Sequence, residues 1–174
     1  AGAVQDLTIT PPDAGTFWCG PLINASRQRD MGLYGMIVVE ESAAQTAFAD
    51  IPLILDDWKL NDDGTMQGAF GDLEAAAGEG RLGNWFTVNG ALKPTLALPA
   101  DKPVRLRLLN VANTRTMNVT FKGADLAVLA WDGQPVKPQA LGAEPLKLAP
   151  GQRADLAVLH AEAQVALALD LFED

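Results

Sequence analysis

The sequence predicts an all-β fold, and three observations carry that expectation. Apolar residues alternate with polar ones at period two, as in VRLRLLNV. Turn residues recur at roughly 8–12-residue spacing, and no helical crossover separates the strand-like runs. The chain has 174 residues, 48% of them hydrophobic, enough to bury roughly 70% of the unfolded surface in one good core. A sandwich or barrel therefore fits better than a parallel α/β sheet.

Taken in order, Leu7 to Thr10 reads as a short strand ended by Pro11 and Pro12, with PPDAG as a turn. Thr16 to Cys19 begins a second strand that Gly20-Pro21 interrupts. Ser26 to Met31 fits one helical turn, with Asn24 or Ser26 as its cap. GLYGMIVVE then reads as a buried strand, because its β-branched run suits a sheet. A composition shift marks a linker from Glu41 to Phe48. IPLILDDW follows as a strand, and LNDDGT as a reverse turn. Residues 68–84 are rich in glycine and alanine and read as an excursion, with DLEAAA as a short helix.

Beyond it, WFTVNG, LALPADKPVRLRLLNVAN, TMNVTFKG, LAVLAWDG and RADLAVLHAEAQVALALDLF read as strands broken by Gly, Asn, Asp or Pro. Val104, Leu106 and Leu108 alternate with Arg105 and Arg107, which predicts a sheet with one covered face. AWDGQPV reads as a tight turn, and LAPGQRADLAVL as a Pro-Gly turn feeding a strand.

Charge and composition exclude several function classes. The net charge of -9 opposes a nucleic-acid partner, and the longest basic cluster, Lys102 to Arg107, is interleaved as in a strand. No apolar run approaches 18 residues, so no membrane span is expected. AGAVQDLTIT lacks the basic region and apolar core of a signal peptide, as the mature form of an exported protein also would. A single cysteine excludes an intrachain disulfide and a multi-cysteine metal site.

Candidate chemistry is sparse. His160 is the only histidine, so a blue-copper site, which needs two histidines and a thiolate, is excluded within this chain. It reads as a strand-end or surface histidine. Cys19 reads as a small buried hydrophobe, although Arg27 or Arg29 would favour a thiolate. Asp56, Asp57, Asp62 and Asp63 supply oxygen ligands for calcium without EF-hand spacing, or carboxylates for a hydrolase, or simply a turn. Trp58, Trp85 and Trp131 are candidates for a sugar groove or for core and interface anchors. GEGRLG lacks both the dinucleotide pattern and the phosphate-loop lysine. No catalytic, cofactor-binding or metal residue is assigned.

An ordered series of motifs resembles the multicopper oxidase family. GTFWCGPL stands where the family carries GTFWYHSH or GTFWYHPH, followed by Gln28 and by GLYGMIVVE for GLYGxLIV. IPLILDDW resembles the opening strand of the family's second domain. RLRLLNVANTRTMNV, LAWDGQPVKP and LAPGQRADLAV resemble its later strands and turns. The matches cover residues 9–40 and 50–160.

The resemblance implies a cupredoxin-like Greek-key β-sandwich. Residues 1–49 would be partial cupredoxin strands and linker, and residues 50–174 a second cupredoxin-like domain. It implies a periplasmic or secreted protein whose N-terminal strands are covered by the remaining cupredoxin domains or another subunit. The family oxidises phenols, amines or metal ions with copper and reduces dioxygen to water. Its type 1 copper lies in the last domain, and its trinuclear cluster lies between first and last domains. Here Gly20 and Leu22 occupy the positions of the two copper-binding histidines, and Cys19 that of the tyrosine. The chain is therefore expected to hold no copper itself. It reads as a scaffold segment of an oxidase, with a copper-free binding or assembly protein as the alternative. An unrelated enzyme using the Asp56–Asp63 acids is a third reading.

Overall fold

The stretch VRLRLLN alternates as a strand should, yet every one of its seven residues is buried. The computed structural model describes residues 2–41, 48–68, 70 and 72–170. Within them the chain forms two hydrogen-bonded sheets. The first is a hairpin of β1 (Gly15–Cys19) and β2 (Gly35–Val39), antiparallel, with the short helix α1 (Ala25–Asp30) between its strands. Asn24 stands at the helix N-cap in the left-handed conformation and makes no side-chain cap bond.

The second sheet holds the remaining strands. These are β3 (Ala49–Trp58), β4 (Trp85–Val88), β5 (Thr95–Leu96), β6 (Val104–Asn110), β7 (Met117–Trp131), β8 (Gln134–Ala140), β9 (Leu146–Leu148) and β10 (Arg153–Asp170). Their order is β4-β3-β6-β10-β7-β8, with β5 on β10 and β9 on β7. The β3–β6 pair is parallel, and the others are antiparallel.

Two long strands turn this sheet into a sandwich. The first half of β10 pairs with β6, and its second half with β5. The C-terminal half of β7 pairs with β8, and its N-terminal end with β9. Between the halves the β7–β10 ladder slips register three times, and Gly123 adopts a φ of 85°. Such bulges bend strands and let one sheet curl over itself. Leu53, Leu55, Leu106, Leu108 and Leu156 from one layer then meet Met117, Val119, Leu148 and Leu167 from the other in a single core. This is a cupredoxin-like β-sandwich.

Several local expectations need correction. Leu7 to Thr10 joins no strand among the described residues, and its residues are exposed. β2 is half-exposed, with Ile37 and Val38 each 39% exposed, because among the described residues β1 is its only strand partner. TMNVTFKG and LAVLAWDG form one strand, the glycine bending the chain without ending it. AWDGQPV joins two strands rather than a strand and a loop. The second of these, β8, carries Pro135 and Pro138 and is exposed throughout, as an edge strand tolerates. The excursion contains the expected helix, α2 (Leu73–Ala77). The linker expected at Glu41 to Phe48 lies mostly outside the described residues. Among the described residues no helix is long and apolar enough to cross a membrane.

Candidate functional site: the junction between hairpin and sandwich

The expectation that β6 has one open face fails because β1 lies over its charged side. Arg107 is fully buried and stands directly opposite Asp155 in the β6–β10 register. Its Nη1 donates to Asp155 Oδ2 at 2.9 Å and to Thr16 Oγ1 at 2.6 Å. The Thr16 hydroxyl in turn donates to Asp155 Oδ1 at 2.6 Å. Arg107 Nη2 reaches Asp50 at 3.0 Å, and Arg105 makes a two-pronged contact with the same carboxylate and a third with Glu41. Opposite charges on adjacent strands are thus closed over by a hydroxyl from the hairpin. Burial raises the Asp155 carboxyl above its ordinary value, against the lowering effect of Thr16 and Arg107. Partial burial pushes Asp50 up as well, but the Arg105 and Arg107 guanidiniums together hold it below the usual range.

Glycines let β1 approach this closely. The Asp132-Gly133 turn lies against Phe17, and a methyl group at Gly133 would stand 2.9 Å from the Phe17 ring. A methyl at Gly15 would stand 2.6 Å from the Gly133 carbonyl oxygen, and one at Gly151 would stand 3.3 Å from Trp18. Arg153 completes the contact by donating to the Thr16 carbonyl and to the Asp132 carbonyl. The GTFW, DGQP and PGQRAD stretches, far apart in sequence, therefore meet at one place. Arg29 stacks over Trp18 with its guanidinium carbon 5.1 Å from the ring centre.

A second contact lies at the other end of the hairpin. Tyr34 donates its phenol proton to Asp56 Oδ2 at 2.7 Å, and the Asp57 backbone N–H donates to Asp56 Oδ1. Asp57 receives Arg115 Nε at 3.1 Å and the Gly83 N–H at 2.5 Å. Asp30 of α1 is bound by Arg81 and Asn113. Burial raises the Asp56 carboxyl to about 7 and raises Asp30, and burial beside Asp56 raises the Tyr34 phenol.

The other sequence candidates are scattered. Cys19 is exposed rather than buried, at the end of β1, along which burial falls off from Gly15 to Cys19. His160 is exposed within β10. Asp56 and Asp57 are buried in β3, whereas Asp62 and Asp63 sit on an exposed turn where Asp63 accepts from Thr65. Trp58 and Trp85 face one another across β3 and β4, with Trp131 on β7 beyond the intervening β6 and β10. The pocket beside Trp85 is lined by Phe86, Leu92 and Leu167 and by neither Trp58 nor Trp131. Sequence reasoning missed the Thr16–Arg107–Asp155 group. Its signal was present in two alternating strands, each carrying charge on its polar positions.

Residues 37–166 match the family described as Multicopper oxidase. The chain belongs to the multicopper oxidase family. It is 40% identical to a multi-copper oxidase from Pseudomonas thermotolerans, with a TM-score of 0.78 over 86% of this chain and 36% of that one. A multi-copper oxidase from Pseudomonas parafulva gives 37% identity and a TM-score of 0.79, covering 91% of this chain and 39% of the other. Among curated relatives, the cell division protein FtsP of Histophilus somni is 32% identical over 160 residues, covering 87% of this chain and 32% of its own length. The chain thus spans about a third of these relatives.

Multicopper oxidases depend on copper, and Gly20 and Leu22 of the GTFWCGPL segment offer the ion no donor. Gly20 has no donor, and any side chain there would start 2.7 Å from the Trp18 ring. Leu22 is 96% exposed hydrocarbon. Among the described residues no three His, Cys, Asp or Glu side chains are grouped to hold a metal.

Proposed function

We propose that this chain is a structural segment of a multicopper-oxidase-family protein, without a copper site of its own. In this reading residues 1–49 are partial strands of one cupredoxin domain with their linker, and residues 50–174 are the second. The segment's work is to hold the GTFW hairpin in fixed register against the middle sandwich. The observation that supports this best is the buried Thr16–Arg107–Asp155 group, which ties β1 to β6 and β10. The exposed apolar side chains of Leu22, Ile23, Met31 and Leu33 are read as surface for the remaining cupredoxin domains or another subunit. A periplasmic or secreted location belongs to the same reading.

The likeness to the cell division protein FtsP favours a second reading, a copper-free binding or assembly protein. Copper loading followed by dialysis and elemental analysis tests the feature common to both. Stoichiometric copper should be absent, together with oxidase activity towards phenols. One tightly held copper per chain would overturn the proposal. Motifs elsewhere in the reading frame separate the two readings, since paired-histidine motifs would place the segment in an oxidase.

A further inference from the structure

Away from the hairpin, the two layers of the sandwich part beside β4. This edge strand has four residues, and β5 on the opposite layer has only two. Between them opens a cavity of about 490 Å³. Its floor is the core itself, through Val88 and Leu167, each 2% exposed. Its walls include Trp85 and Leu92, which remain 43% and 54% exposed. Large apolar side chains held open around a concave apolar floor are the usual lining of a small-molecule site.

The connection from β4 to β5 sets one charge at the rim. Asn89 and Gly90, both with positive φ, reverse the chain, and Ala91 is tied back to Val88 by paired backbone bonds. Lys93 then adopts a φ of 46°, a left-handed conformation that glycine enters at less cost. Next to it the Pro94 carbonyl accepts the Leu167 N–H, so the backbone is fastened to both layers around Lys93. Lys93 is the only charged residue lining the cavity, it is exposed, and it joins no ion pair among the described residues. The other polar side chain in the lining, Asn84, is already bonded to the Leu60 backbone through both ends of its amide.

We propose that this cavity binds a small aromatic acid, with its ring against Trp85 and Leu92 and its carboxylate at Lys93. The exposed indole supplies a flat partner for a ring, the apolar floor disfavours a polar body, and one cation selects one anionic head. A chain of net charge -9 repels anions over most of its surface, so a preference for an acid over its neutral analogue is a local property. None of the lining residues belongs to the hairpin, so this site goes beyond the structural role and can fail separately from it.

Titration of the 174-residue chain with 1-naphthoate, followed by NMR at the Trp85 indole N–H and the Leu92 and Leu167 methyls, should saturate with a Kd of about 1 mM or below. Neutral 1-naphthamide, of nearly the same shape, should bind about fivefold more weakly, as the loss of one exposed ion pair allows. Lys93→Glu should remove that preference. Lys137→Glu, the same change of charge on β8 at the far edge of the sheet, should keep it. Trp85→Ala should weaken naphthoate about tenfold, and it identifies the Trp85 signal among the four tryptophans. Shifts that rise without saturation, equal affinity for acid and amide, or a preference that survives Lys93→Glu would overturn the site. Octanoate binding as tightly as naphthoate would remove the aromatic class. Broadening of the Trp85 signal with protein concentration alone would give this face to a second copy of the chain instead. Should Trp85→Ala not fold, Lys93→Glu at the exposed rim decides.

Discussion

Arg107 and Asp155 stand directly opposite each other on β6 and β10, and the Thr16 hydroxyl bonds to both side chains. A buried ion pair is weak evidence of net stability, because desolvation offsets the attraction. Removing one partner is different, since the other is left buried and unpaired. Among the described residues Arg107 Nε already has no hydrogen-bond partner. Asp155→Ala is therefore expected to destabilise the chain by about 3–5 kcal/mol in urea unfolding. A loss below about 1 kcal/mol would show that water reaches Arg107.

The glycine cradle gives a paired comparison. Gly133 has a φ of 81° and lies against Phe17, so Gly133→Ala adds both strain and a clash. We expect a loss of about 1–3 kcal/mol. Gly142 faces open space without a left-handed φ, and Gly142→Ala should be neutral or stabilising by up to about 1 kcal/mol. Equal effects at both positions would remove the cradle from the explanation.

Stability should depend on pH with opposite signs at two carboxylates. Burial raises Asp56 to about 7, so its contribution is complete below the ordinary carboxylate value and is lost as pH rises to 7. The stability difference between wild type and Asp56→Asn should therefore move against wild type from pH 5 to 7. Asp50 is held low by its two arginines, and its contribution is lost only as pH falls below the usual carboxylate range. Acid titration of Asp50→Asn against wild type checks that sign.

Cys19 is exposed at the end of β1. One thiol per folded chain should react with an aromatic disulfide reagent without denaturant. Protection until unfolding would restore the buried role expected from its neighbour Trp18.

These contacts mark how far the sequence could be read. Alternation in VRLRLLNV located β6 and its apolar face, because that pattern depends only on side-chain period. It could not reveal that the arginine face is buried too, since the cover is β1, some 90 residues away in the chain. The Asp-Gly turn at Asp132-Gly133 was legible from turn chemistry, whereas β8 after it was hidden by Pro135 and Pro138. Only its position at the sheet edge makes those prolines acceptable. The expectation at Gly20 and Leu22 needed no fold, because a residue without a donor atom cannot act as a ligand wherever it is placed. The exposure of Cys19 depended on what packs over the end of β1, which no local pattern encodes.

The most direct test of the junction is a double-mutant cycle between Thr16→Val and Asp155→Asn, read by urea unfolding of both single variants, the double variant and wild type. Residues sharing one buried hydrogen-bond group couple by about 0.5–3 kcal/mol, and a value in that range is expected here. Additivity to within about 0.3 kcal/mol would contradict a hairpin fastened to the sandwich through these side chains.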